Sequence, residues 1–251
     1  MIEKIDINAN AIWLRKKLNE DANSPIDIFS LVSSIDNITI VFYPMSKRIS
    51  GMCVKVDENN IIAINSESTY GRQRYTLAHE LCHLYFHKNL NNSICPKDSD
   101  RSKDEKEIEA DIFASYFLAP YESLKSYITN TLGKNKGELN VEDVVNIEQY
   151  YGLSRQATLN RLVSEGYITR IKADTMRSGI IRSALKQGYD EKLYLPSEGS
   201  KKYYTIGKYI KIAEELNNKE KVSSGKYEEL LLDAYRSDIV YGSDDEVEIY
   251  D

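Results

Sequence analysis

The feature that most restricts what this chain can fold into is the segment His79-Glu80-Leu81-Cys82-His83, a His-Glu-x-x-His pattern in a stretch predicted to be helical. Two histidines four residues apart lie about 40° from each other on a helix, so both imidazoles can reach one ion. Glu80 lies about 100° round from His79, where it can take a proton from water. The pattern predicts a metal site with His79 and His83 as ligands and Glu80 as the catalytic base.

A third protein ligand is needed, because catalytic zinc is usually held by three side chains and keeps one position for water. His87 lies about 12 Å along the helix axis from His79, too far to share its ion. The next predicted helix offers Glu107 and Asp111 on the face that is expected to pack inward, whereas Glu109 points nearly opposite, towards solvent. We therefore predict Glu107 as the third ligand and Asp111 as the carboxylate that orients a ligating histidine through its other ring nitrogen.

The cysteine content and the apolar runs exclude several classes of protein. Three cysteines without a Cys-x-x-Cys pair make neither a disulfide framework nor a cysteine-built zinc finger. Free thiols are typical of a reducing compartment. No run approaches the roughly 20 apolar residues of a membrane helix, and the acidic amino terminus is unlike a signal peptide. We expect a cytoplasmic protein with no membrane partner.

Periodicity along the chain predicts an α+β fold that is mainly helical, with a small antiparallel sheet. A hairpin is expected from strands at 52–56 and 61–65. The second of these strands either supports the core or offers an edge to which an extended substrate adds. Helices are predicted at 11–20, 71–88, 103–118, 203–217 and 225–240.

Residues 141–150 and 155–165, joined by a turn, have helix-turn-helix spacing. The side chains that would face a DNA groove are Arg155, Gln156, Thr158, Asn160 and Arg161. Residues 136–166 hold three basic and five acidic side chains, a poor footprint for DNA. Residues 170–221 hold 12 Lys or Arg against 7 Asp or Glu, a net charge of +5, so nucleic acid stays a possible partner.

Two segments carry a resemblance to a known family. They are residues 72–83, RQRYTLAHELCH, and residues 107–120, which contain the pattern ExxADxFA and end in LAP. Together they resemble the ImmA/IrrE family of metallopeptidases, with looser similarity on both sides. Cys82 departs from the family, which usually has glycine there. We interpret Cys82 as a small buried thiol, with a weak ligand or an oxidation-sensitive residue as the alternatives.

The resemblance implies a fold, and the pattern of elements along the chain predicts how it is divided. It implies a zincin core in which Glu107 completes a Zn²⁺ site. We accordingly predict a zincin-like metallopeptidase core at 1–135 and a helix-turn-helix-like helical module at 136–170. A helical C-terminal region with an acidic tail follows at 171–251.

The resemblance also implies a zinc-dependent endopeptidase. Some members of the family cleave a helix-turn-helix repressor and so relieve repression of a mobile element or stress genes, and we expect such a repressor as the substrate. The alternative is a zincin-like regulatory protein that binds DNA, or a repressor or toxin partner, without proteolysis. A purely structural zinc is a third interpretation, but closed structural sites usually have four protein ligands and only three are visible here.

Overall fold

The computed structural model describes residues 3–87, 92–96 and 104–242, so the predicted acidic tail lies outside the described residues. The helices of the first half are α1 (Lys4–Lys17), α2 (Ile28–Ser33), α3 (Tyr70–Phe86), α4 (Glu105–Leu118) and α5 (Tyr121–Ser126). The later helices are α6 (Val141–Tyr151), α7 (Arg155–Ser164), α8 (Arg170–Thr175), α9 (Ile180–Leu185), α10 (Lys208–Asn218), α11 (Ser224–Asp233) and α12 (Ser237–Tyr241). The strands are β1 (Ile38–Tyr43), β2 (Ile49–Val56), β3 (Asn59–Asn65), β4 (Asn92–Pro96) and β5 (Tyr204–Gly207). The predicted α+β class with a mainly helical chain is confirmed.

The strands in the described part of the chain form one five-stranded sheet in the order β4-β2-β3-β1-β5. The predicted hairpin is present as β2 and β3, and all neighbouring pairs are antiparallel except β1 and β3, which run parallel. The sheet is therefore mixed rather than purely antiparallel. The expectation that the strand at 61–65 offers an edge to a substrate is wrong, because β3 is hydrogen-bonded on both sides, to β2 and to β1.

The strand β5 lies where the sequence predicted the start of a helix at 203–217. It pairs with β1, for example Val41 with Thr205. Tyr204, Thr205 and Ile206 are residue types that favour strands once a partner edge is available. The strand ends at Gly207, whose φ of +93° suits glycine and where a Cβ atom would lie 2.5 Å from the carbonyl oxygen of Ile38. A long-range pairing thus overrides the local helical pattern.

The hydrophobic core surrounds α3, which lies between the sheet and α4, while α1 packs on α4. Leu77 and Leu81 of α3 are fully buried. Leu159 and Leu162 of α7 are also fully buried and belong to the same hydrophobic cluster. The helix-turn-helix-like segment is thus built into the core that holds α3. The division of the chain at 135 and 170 stays a prediction.

The helix-turn-helix-like segment is held by a buried ion pair between Arg155 at the start of α7 and Glu148 of α6, whose side chains are 2% and 0% exposed. Glu148 also accepts a hydrogen bond from the Tyr194 hydroxyl at 2.8 Å. Arg155 also donates to the carbonyl oxygen of Met176 at 2.8 Å and to the Ser183 hydroxyl at 2.9 Å. Each charge therefore has several partners, as buried charges require.

This burial bears on the side chains that were predicted to face a DNA groove. Besides Arg155, Thr158 is 1% exposed and Arg161 is 5% exposed. The Arg161 guanidinium lies over the Tyr116 ring, 3.7 Å from its centroid. Three of the five candidates are therefore buried and cannot reach a groove. The two exposed ones, Gln156 and Asn160, are joined by a hydrogen bond at 3.1 Å.

Helix length bears on the expectation that the chain has no membrane partner. Over the described ranges, no helix combines the length and the apolar run needed to cross a bilayer.

The loop between α1 and α2 gives a pH-dependent prediction. The Asp21 carboxylate accepts hydrogen bonds from the backbone N–H of Ser24 at 2.7 Å and from that of Asn23, and these bonds, led by Ser24, lower the pKa of Asp21 to about 2. A lowered carboxyl pKa stabilises the fold above the unfolded value of about 3.9, and the effect is lost as the pH falls through the folded value.

We expect Asp21→Asn to reduce the free energy of unfolding at pH 7 by about 1 kcal/mol or less, since the side chain is exposed and screened by solvent. The difference should shrink between pH 4 and pH 2. Urea unfolding of both proteins across this range measures it. A difference that stays constant down to pH 2 would contradict this role for the charge.

Candidate metal centre

The helix α3 is fixed in position by hydrogen bonds from three buried or half-buried side chains. Gln73 Nε2 donates to the carbonyl oxygens of Ser66 and Ser68 in the preceding loop, at 3.2 and 2.7 Å. The Arg74 guanidinium donates to the carbonyl oxygen of Gly152 at 3.1 Å, which ties α3 to the turn between α6 and α7. At the other end, Lys55 Nζ of β2 donates to two carbonyl oxygens at the end of α3, at 3.3 and 3.4 Å. A cation at this end also suits the helix dipole.

The structure brings the three predicted ligands together. His79 Nε2 lies 3.2 Å from Glu107 Oε2, and His83 Nε2 lies 3.2 Å from Glu107 Oε1. The two Nε2 atoms lie 3.0 Å from each other. Ligand atoms bound tetrahedrally at 2.0–2.1 Å from a zinc ion are about 3.3 Å apart. These spacings, which involve both carboxylate oxygens of Glu107, suit one small metal ion. His79, His83 and Glu107 form one of the two clusters with metal-ligand spacing in the described chain.

Asp111 lies where the sequence predicted it. Its Oδ1 atom is 3.0 Å from His79 Nδ1. A carboxylate can only accept, so His79 carries its proton on Nδ1 and turns the lone pair of Nε2 towards His83 and Glu107. The Tyr75 hydroxyl donates to the backbone carbonyl oxygen of Asp111 at 2.5 Å and so fixes α4 against α3.

The charge at the centre favours a cation. Burial raises the pKa of Glu107, but hydrogen bonds and the potential from His79 and His83 outweigh burial and hold the pKa well below its usual range. Glu107 is therefore an ionised carboxylate with a 13% exposed side chain beside two fully buried histidines. A metal cation compensates such a charge, and two imidazoles with one carboxylate are donors typical of transition metals.

Glu80 is fully buried on α3, next to Gly51 of β2. A Cβ atom at residue 51 would lie 3.7 Å from Glu80 Oε1, 2.6 Å from Thr76 Cγ2 and 2.8 Å from the carbonyl oxygen of Ala63. A larger residue than glycine would displace the strand from the helix. Gly51 thus permits the close approach of β2 to α3 that places the Glu80 carboxylate.

A second buried cluster was not predicted. It consists of Cys82, His87 and Glu109, and His87 Nε2 lies 3.3 Å from Glu109 Oε2. The expectation that Glu109 points to solvent is wrong, because its side chain is 14% exposed and bends back to the end of α3. The sequence signal was the spacing of four residues from His83 to His87, which places both rings on one helix face. As predicted, His87 does not share a ligand cluster with His79, although its ring contacts that of His83.

The predicted burial of the Cys82 thiol is confirmed, with an exposed fraction of 1%. Burial raises the pKa of this thiol well above its usual range, and the charge of Glu109 adds to the effect. Burial also lowers the pKa of His87, against the opposing effect of Glu109. The thiol is therefore protonated in the metal-free protein.

A cavity of about 430 Å³ lies next to the centre, between α4 and α7. Its lining includes Asp111, Tyr116, Gln156, Asn160 and Arg161. Since Asp111 contacts His79, the cavity is one side chain away from the predicted ligands.

Comparison with known proteins agrees with this geometry. The model of the family described as IrrE N-terminal-like domain, Peptidase_M78, matches residues 36–163, which are 128 of the 251 residues. The radiation response metalloprotease IrrE of Deinococcus deserti is 32% identical over 106 residues, which are 41% of this chain and 37% of that relative. The chain thus spans little more than a third of that relative's length. The match includes the segments with α3, β4 and α4, and the resemblance seen in the sequence is confirmed: the chain belongs to the IrrE N-terminal-like family of metallopeptidases.

Proposed function

We propose that this protein is a zinc-dependent endopeptidase that cleaves a helix-turn-helix repressor protein. The observation that carries the proposal is the convergence of His79, His83 and Glu107, whose ligand atoms are 3.0–3.2 Å apart, with Glu80 on the same helix. Two imidazoles and one carboxylate would supply the three protein ligands of a catalytic zinc site, which keeps a position for water or substrate. The repressor as substrate rests on the family resemblance.

The residues of the chain divide the work of hydrolysis. When bound, zinc lowers the pKa of the attacking water and polarises the scissile carbonyl. Glu80 takes the proton from that water and later delivers it to the leaving amine. Asp111 keeps His79 in the tautomer that ligates through Nε2. The buried surroundings exclude other water and strengthen these interactions.

The sheet indicates where an extended substrate would lie. The strand β4 is terminal in the sheet and pairs with β2, and its residue Cys95 is the partner of Gly51. Gly51 lies beside the Glu80 carboxylate, so β4 runs one strand spacing, about 4.8 Å, beyond that point. A substrate that adds to β4 would place its backbone two strand spacings, about 9.6 Å, from Gly51, on the side of the sheet edge nearest the candidate site. The cavity between α4 and α7 is a suitable place for one of its side chains.

The alternative, a regulatory protein that binds DNA through its helix-turn-helix-like segment, has less support. Arg155, Thr158 and Arg161 are buried and have no access to a groove. A regulator that binds a protein partner without proteolysis would give Glu80 no task at the metal centre. The peptidase is therefore the proposal that uses the whole arrangement.

The proposal is tested with the zinc-loaded full chain and candidate helix-turn-helix repressor proteins as substrates. We expect fragments of the repressor on gel electrophoresis and mass spectrometry, and we expect a chelator to stop cleavage until Zn²⁺ is restored. A repressor whose helix-turn-helix segment is replaced serves as the control substrate. Cleavage that continues at the same rate in chelator would contradict a metal-dependent mechanism, and an intact repressor would contradict the substrate.

A further inference from the structure

A row of buried polar side chains leads away from the metal centre on the side of His83. His83 Nδ1 lies 2.8 Å from His87 Nδ1, and His87 Nε2 lies 3.3 Å from Glu109 Oε2. The side chains of the three residues are 0%, 6% and 14% exposed. Water therefore has little access to these contacts, and each hydrogen must be assigned within the row.

Counting protons gives one consistent arrangement. If His83 ligates a metal through Nε2, its single proton is on Nδ1 and is donated to Nδ1 of His87. His87 then has its own proton on Nε2, which lies 3.3 Å from Glu109 Oε2, at ion-pair distance but without the geometry of a hydrogen bond. The one hydrogen bond of the row joins the two imidazoles, and the Glu109 carboxylate then faces a protonated nitrogen. The reverse order would point the unprotonated Nε2 of His87 at the carboxylate, which is unfavourable.

The row matches the arrangement on the other ligand. His79 donates from Nδ1 to Asp111 directly, at 3.0 Å. His83 donates from Nδ1 as well, but its carboxylate is one imidazole further away. In metal sites, such partners fix the tautomer and the ring orientation of the ligand and increase its basicity.

The same three residues suggest a competing arrangement in which Cys82, His87 and Glu109 bind a second metal ion. This would require an unprotonated Nε2 on His87. With His83 bound to the first metal through Nε2, the two rings have two protons between them, and only one is used at the Nδ1–Nδ1 contact. Two bound metals would force one ring to lose its last proton or break the 2.8 Å contact. The proton count therefore favours a hydrogen-bond row over a second metal.

We propose that His87 and Glu109 are positioning residues that hold His83 as a metal ligand through the relay Glu109–His87–His83. This rests on the proposed metal centre, but it concerns metal affinity and not cleavage. The relay fixes the ring of His83 in the Nδ1–H tautomer, ready to bind through Nε2.

The test measures the affinity of the full chain for Zn²⁺ by competition with a chromophoric chelator. We expect His87→Leu to weaken binding by about 10–100-fold, which is the usual effect of losing such a partner. Glu109→Gln should weaken binding less, because its amide oxygen still accepts. His87→Gln should restore much of the affinity, since its amide oxygen can accept from His83 and its amide nitrogen can donate to Glu109. Glu105→Gln, an exposed change on the same helix, is the matched control and should bind as the wild type does.

Thermal unfolding of the metal-free variants shows whether each one folds. If His87→Leu does not fold, Glu109→Gln and His87→Gln decide the matter. Unchanged zinc affinity in the folded His87 and Glu109 variants would overturn the relay. A second metal at Cys82 would also overturn it. This would be seen if the wild type bound two equivalents of Co²⁺ and showed thiolate-to-cobalt absorption that is absent in Cys82→Ser. A wild-type chain that binds no Zn²⁺ at all would instead overturn the proposed function itself.

Discussion

Glutamine in place of Glu80 is expected to abolish cleavage of the repressor while the bound metal stays in place. Glutamine fills nearly the same buried volume beside Gly51, so α3 and its two histidines should keep their positions. It cannot accept the proton of the attacking water, and a positioned general base typically contributes 10²–10⁴-fold to the rate. We therefore expect a rate lower by roughly 10³-fold. Single-turnover cleavage assays measure the rate, and metal analysis of the same samples measures the zinc content.

The control is Glu122→Gln, an exposed carboxylate outside the centre, which should cleave at the wild-type rate. A Glu80→Gln protein that keeps its zinc and cleaves at the wild-type rate would remove Glu80 from the mechanism. Loss of zinc from this variant would show instead that the carboxylate helps to hold the metal site together.

Replacing Arg155 with methionine is expected to cause the largest loss of stability. The change leaves the Glu148 carboxylate buried without its cation, and breaking such a pair from one side costs about 3–5 kcal/mol. Hydrogen bonds to Met176 and Ser183 are lost as well. The expected Tm is lower by roughly 6–20 °C, at 2–4 °C for each kcal/mol in a chain of this size. Calorimetry in the presence of chelator measures the change without the contribution of bound metal.

The matched control is Arg177→Met, because Arg177 forms an exposed pair with Asp174 and should change stability by less than about 1 kcal/mol. The double variant Arg155→Met, Glu148→Leu should recover part of the loss, since no charge is left buried alone. Equal losses for Arg155→Met and Arg177→Met would show that burial of the pair does not decide its contribution.

The convergence of His79, His83, Glu107 and Asp111 could be predicted because the information for it is local. The spacing of His79 and His83 fixes their common direction on a helix, and the face shared by Glu107 and Asp111 does the same on α4. Only the packing of one helix on the other had to be supplied. The direction of the Glu109 carboxylate was predicted wrongly. A helical projection gives only the direction of Cβ, whereas the carboxylate is several bonds away and can bend back towards α3.

The features that could not be predicted depend on partners far away in the sequence. Tyr204–Gly207 reads as the start of a helix until the open side of β1 is known. The sequence places Arg155 on the surface of a recognition helix. In the fold its guanidinium contacts Glu148 and Ser183, and Tyr194 donates a hydrogen bond to the same Glu148. In both cases tertiary contacts decide the outcome, and propensity is only a weak guide.

The place of β5 in the sheet has a consequence for how the protein is made. The strands β1 to β3 and the helix α3 leave the ribosome early. The strand β5, which pairs with the other side of β1, is available only when residues 204–207 emerge. At about 5–20 residues per second, the roughly 140 residues in between take on the order of ten seconds to synthesise. Throughout that interval β1 presents open amide and carbonyl groups to other nascent chains. The topology therefore leaves one edge of the sheet unpaired until residues 204–207 have been synthesised.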